Sequence, residues 1–239
     1  MGARPHRSIK LRRRRDTGGT TAEYLRLLIT VLLLFALQAT MAETPFAVFV
    51  QLLVAGSALI LALRVADAPE RVRRYIGLLV VVALGGALVQ IVQGHSSLAN
   101  GLLLLINGLL VAAGPVVLFG GVRRHPNVSV KTLIAALTIY VLIGLFFAFI
   151  YRAFLELEEG SFSSATELTP AAMQYFSFIT MTTVGFGDIT PVDDLVRTVV
   201  ALEALIGQVY LVTVVALVVA NIGATRIAGR RSERGDTDS

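Results

Sequence analysis

The chain has 239 residues, 55% of them hydrophobic and 15% charged, with a formal net charge of +5. A soluble domain carries nearer a quarter charged residues, so this composition excludes an ordinary soluble fold and indicates an integral membrane protein. Cysteine is absent, which excludes disulfides and thiolate metal sites; His6, His95 and His125 have no partner ligand at a usable spacing, so no metal centre is expected.

The chain opens with RPHRSIKLRRRRD, a basic run that elsewhere suggests nucleic acid. Beside a first apolar segment it is better read as a cytoplasmic anchor touching anionic lipid, with no nucleic-acid partner. A cleaved signal peptide is the rival for this start, but the apolar stretch is long for one. Six apolar spans are predicted at 22–42, 46–66, 75–94, 98–120, 130–154 and 195–223, each near the length that crosses a bilayer. Lys and Arg cluster in the N-terminal tail, at Arg64 to Arg74, at Arg123, Arg124 and Lys131, and in the C-terminal tail. The intervening loops around Glu43 and at QGHSSLAN have none. This alternation puts both termini in the cytoplasm of a multi-pass plasma-membrane protein. Neither tail is long enough to fold alone, and the last ten residues, RRSERGDTDS, read as a polar, mobile end.

The resulting plan is a basic tail over 1–21, four spans over 22–120 and a cytoplasmic linker over 121–129. A two-span module follows over 130–225, then a tail over 226–239. The fold class is all-α, with six transmembrane helices and one re-entrant element.

That element lies between spans five and six. Thr169-Pro170 is a helix start, Thr as N-cap and Pro at the first helical position. The helix predicted over 170–182 is too short to cross, so the chain must turn back through Thr183-Val184-Gly185-Phe186-Gly187-Asp188. Aiming successive carbonyls to one side needs left-handed dihedrals at alternate residues, which glycine adopts cheaply. Gly185 and Gly187 sit two apart, as this requires, and a row of carbonyls suits a dehydrated alkali cation.

TTVGFGD, after a capped short helix and between two spanning helices, resembles the selectivity-filter signature of potassium channels. Close resemblance covers 165–225. It implies a homotetramer with K+ sites at the carbonyls of Thr183, Val184, Gly185 and Phe186, within a filter over 183–187. It also implies that the Thr183 hydroxyl closes the innermost site, that no cofactor besides the permeant K+ is needed, and that there is no catalysis. Phe186 replaces the commoner Tyr. Tyr175 stands where the family often places an aromatic that steadies the acid after the filter, here Asp188. Ile179 stands where some bacterial members keep a buried acid.

From Tyr151 to Arg197 seven acids face Arg152 and Arg197, seven minus two, net −5 per chain; such an outer field concentrates cations, and it also suits a merely solvated loop. In span six, Gly207 is either a bending point or a small residue admitting a neighbour. Gln208 and Val215, with Leu211 or Val212 between, are at helical spacing for a cavity face. Glu203 lies inside the span, where a carboxylate must be paired or wet. Support of the pore helix through a hydrogen bond is favoured over proton sensing.

Span four carries no charge within it, and spans two and three offer Gln51, Gln90 and Gln93 where a voltage sensor has acids. Steep voltage gating is not expected. The Asn100-Gly101 and Asn107-Gly108 pairs share a helix face that favours close packing, with a lipid or small-molecule site as the sharper alternative. Pro115 is a potential kink. The rivals to a potassium-selective channel are a less selective cation channel, a non-conducting auxiliary subunit and an uptake transporter, the last usually with four unlike filter copies in one chain.

Overall fold

The computed structural model describes residues 19–40, 44–93, 97–122, 129–158 and 160–235. The basic N-terminal run, the three histidines, Arg123, Arg124, Glu159 and the last four residues lie outside the described residues. Among the described residues seven helices and two short strands follow in order: α1 (Thr21–Thr40), α2 (Pro45–Val65), α3 (Glu70–Gln93), α4 (Ser97–Val122), α5 (Val130–Leu157), β1 (Phe162–Ser164), α6 (Pro170–Met181), β2 (Ile189–Pro191) and α7 (Asp194–Gly235).

Local chemistry sets the helix starts. The Thr20 N–H donates to Glu23 Oε2 at 2.6 Å and the Glu23 N–H to Thr20 Oγ1 at 3.3 Å, a reciprocal cap that begins α1. Asp193 Oδ1 accepts from the N–H groups of Leu195 and Val196, starting α7. α3 begins at Glu70, ahead of the span expected from residue 75, because Pro69 and Glu70 favour a helix start although the arginines behind them are polar.

Among the described residues four helical segments are long and apolar enough to cross a membrane: Thr21–Thr40, Ser97–Gly120, Val130–Leu157 and Asp194–Leu217. The apolar part of α2, Phe49–Val65, is shorter, and α3 carries Glu70, Arg71, Arg73 and Arg74 in its opening turns. The molecule is therefore a largely helical membrane protein.

α5 is the spine, packed along α4, α1 and α6, while α7 contacts α6 and α5. Between apolar helices in lipid, close fit rather than exclusion from water holds the pair together. The α4–α5 seam has that fit. A side chain at Gly101, Gly108 or Gly114 would meet Leu157, Phe149 or Leu142 in turn, the order expected of antiparallel neighbours. Asn107 is buried in the same region. Pro115 lies inside α4 without ending the helix.

Two features differ from the sequence expectation. β1 and β2 pair antiparallel, Phe162 opposite Pro191 and Ser164 opposite Ile189, so the fold is not wholly helical. α7 runs on to Gly235 rather than stopping near 223, with no proline to break it through the arginine-rich end. Much of the tail expected to be mobile is thus helical backbone.

Candidate functional site

The site is built on α6 and the six residues after it. Thr169 Oγ1 accepts from the Ala172 N–H at 3.1 Å and Pro170 occupies the first turn. The helix ends at Met181, and Thr182 caps it, its N–H donating to Phe178 O at 3.0 Å and its hydroxyl to the same carbonyl at 2.6 Å. The next carbonyl, Ile179 O, receives the N–H of Val184 at 2.8 Å and that of Gly185 at 3.2 Å. The last turn of α6 thereby holds the start of the following segment.

In that segment φ is +60° at Thr183, +52° at Gly185 and +79° at Gly187, while Val184 and Phe186 keep ordinary negative values. Residues of positive φ alternate with residues of negative φ. Glycine accepts this freely; a β-branched threonine does so only where its surroundings hold it. Every residue from Thr182 to Asp188 is exposed, and Phe186 is 70% exposed. The segment therefore forms one open wall of the chain.

Behind this wall Tyr175 stacks on Phe186, with ring centroids 6.5 Å apart and planes within 5°. The Tyr175 hydroxyl interacts with the Asp188 carboxylate. β2 then ties the outer end of the segment to β1, and the Val192 N–H donates to Ser161 O at 2.9 Å.

Glu203 is fully buried on α7. Tyr151 of α5 donates its hydroxyl to Glu203 Oε2 and Ser177 of α6 donates to Oε1, each at 2.5 Å. Ser177 Oγ also lies 2.8 Å from Gly144 O. One carboxylate thus joins the three helices α5, α6 and α7. Around Tyr151 the rings of Phe147, Phe162 and Phe176 close off the pocket. Gly207 admits α6: a Cβ there would stand 2.8 Å from Met181 O. α7 is unbroken through this point. Gln208 and Val215 are exposed, on a helix span of which 11% is buried.

Tyr151, Ser177 and Gln174 were not singled out from the sequence. Each is a polar group within an apolar helix, the signal that did single out Glu203. Among the described residues no group of His, Asp or Glu is placed to hold a metal ion by side chains. Arg152, counted with the outer charges, is buried, over the Phe149 ring.

Residues 135–223 match a family model described as ion channel. Comparison with curated proteins and with solved structures gave no match.

Proposed function

Starting from an ion-channel domain at residues 135–223, we propose that this chain is one subunit of a potassium-selective homotetramer that conducts passively along its axis. The observation that carries this reading is the left-handed alternation at Thr183, Gly185 and Gly187. Alternating dihedrals of this kind turn successive carbonyls to one side, where oxygens can replace the hydration shell of a K+ ion. Carbonyls of Thr183, Val184, Gly185 and Phe186 are the ligands, with the Thr183 hydroxyl innermost and Gly187 completing the filter. One chain supplies one wall, and the exposure of the segment and of α7 leaves room for three more copies around an axis.

The C-terminus of α6, where carbonyls outnumber their donors, directs partial negative charge toward the membrane centre and favours a waiting cation. Asp188 and Tyr175 brace the outer end, and Glu203 braces α6 from behind. Gln208 and Val215 line the inner cavity. All six long helices cross a plasma membrane with both termini cytoplasmic, on the alternation of Lys and Arg. The basic N-terminal tail rests on anionic headgroups. Bending at Gly207 is the gating step that the sequence suggests.

Ion flux tests this reading. Liposomes holding the purified protein are expected to dissipate a potassium gradient and to retain a sodium gradient. Equal passage of both ions would favour the less selective channel; no passage in a correctly assembled tetramer would favour the auxiliary subunit.

A further inference from the structure

The helices ahead of the channel domain are not remote from the filter. α1 lies against α6. Gln174, 2% exposed in the second turn of α6, donates its Nε2 to the backbone carbonyl of Phe35 at 3.1 Å, across 139 residues of sequence. One turn further along α6, Phe178 meets the Phe35 ring edge-on, with centroids 5.1 Å apart and planes at 88°. Phe35 is thus gripped twice, through its carbonyl and through its ring.

The grip reaches the filter by a short route. Phe178 O accepts from Thr182, and Ile179 O accepts from Val184 and Gly185. A shift of α6 along α1 displaces both carbonyls and the residues that hang from them. Thr183, in its left-handed conformation, is the joint between them.

A second amide belongs to this seam. Gln38 lies fully buried at the end of the packed stripe Leu27, Val31, Leu34 and Gln38 of α1. It is three residues beyond Phe35, about 4.5 Å along the helix axis. Among the described residues neither Gln38 Nε2 nor Gln38 Oε1 has a partner, and Gln174 Oε1 has none either. Buried polar atoms left unmet at membrane depth are costly. Gln38 carries a donor of the kind that Gln174 Oε1 lacks, so a tether between the two amides would add to the one at Phe35.

We propose that Gln174 and Gln38 are positioning residues through which α1 sets the conformation of the Thr183–Gly187 filter. The peripheral helices then regulate ion passage at the filter as well as packing around it. This rests on the filter reading above.

The test uses the full chain in planar bilayers with potassium on both sides, reading the decline of current at constant voltage and the K+/Na+ permeability ratio. Gln174→Met keeps side-chain length and removes the donor; Phe178→Leu loosens the ring contact and leaves the hydrogen bond. Each is expected to speed the decline at least about five-fold, the lower end of ordinary coupling between sites. Gln38→Leu is expected to act in the wild type and to add nothing in the Gln174→Met background, as coupled residues do. Wild-type decline and ratio in both Gln174→Met and Phe178→Leu would overturn the proposal. Should Gln174→Met not assemble, Phe178→Leu decides the question alone, in the same direction. If the wild type itself does not prefer potassium, the filter reading fails, and amide exchange at Val184 and Gly185 in nanodiscs decides the seam separately. Faster exchange there in the variants, with α5 unchanged, supports positioning; unchanged exchange overturns it.

Discussion

Among the described residues the Tyr151 hydroxyl has one hydrogen-bond partner, Glu203, whereas Ser177 has Gly144 O as well. The two hydroxyls therefore respond differently when the carboxylate is removed. Glu203→Ala strands the Tyr151 hydroxyl in a ring of phenylalanines, at a cost of about 1–3 kcal/mol, and leaves Ser177 served. The thermal midpoint of the assembled protein is expected to fall, and Tyr151→Phe in the same chain to restore part of it. Equal midpoints for the single and double variants would show that the hydroxyl does not matter. A carboxylate deep in an apolar span announced itself in the sequence because it cannot stand alone there. Its partners did not, since a serine and a tyrosine are ordinary residues until the fold brings them together. The same limit applies at Thr183. Glycines at 185 and 187 signal left-handed backbone, but no local rule assigns φ of +60° to a threonine.

At the scale of elements, α6 and α7 meet where glycine leaves room. Gly207→Ala would place a methyl 2.3 Å from Met181 Cγ and 2.8 Å from Met181 O. The side chain can move; the backbone oxygen cannot without shifting α6. Overpacking of this kind costs about 1–3 kcal/mol, so the variant is expected to unfold at lower temperature. A residue serving only as a bend would change open probability and leave that temperature alone, so the two readings of Gly207 separate in one melting curve. The start of α6 was legible because caps are local, here Thr169 with Pro170. The β1–β2 pair was not, because three-residue strands are too short to show a period and their pairing is long-range. The length of α7 was underread because polarity marks the end of a membrane span, not the end of a helix.

For the whole molecule, the peripheral helices carry no charge ladder, and α4 meets α5 through glycines and aliphatic side chains. Each elementary charge moved through the full potential contributes roughly 2.3 kcal/mol per 100 mV. With none in α4, conductance is expected to change no more than a few-fold between about −100 and +100 mV. A steep sigmoid in single-channel open probability would contradict this. The number of long helices was legible from hydropathy. That α1 touches α6 was not legible, because Phe35 and Gln174 are unremarkable residues 139 positions apart.

The central claim is that alternating left-handed backbone at 183, 185 and 187 makes a potassium-selective row of carbonyls. It is tested most directly by the reversal potential of the purified protein in a planar bilayer under opposed potassium and sodium gradients, with Gly185→Ala beside it. Within one chain nothing lies within 4 Å of a Cβ at Gly185, so there the added methyl acts through the φ of +52°. Reversal near the potassium equilibrium potential is expected for the wild type, and loss of that preference, or of current, for the variant. Reversal near zero in the wild type, or a variant as selective as its parent, would contradict it.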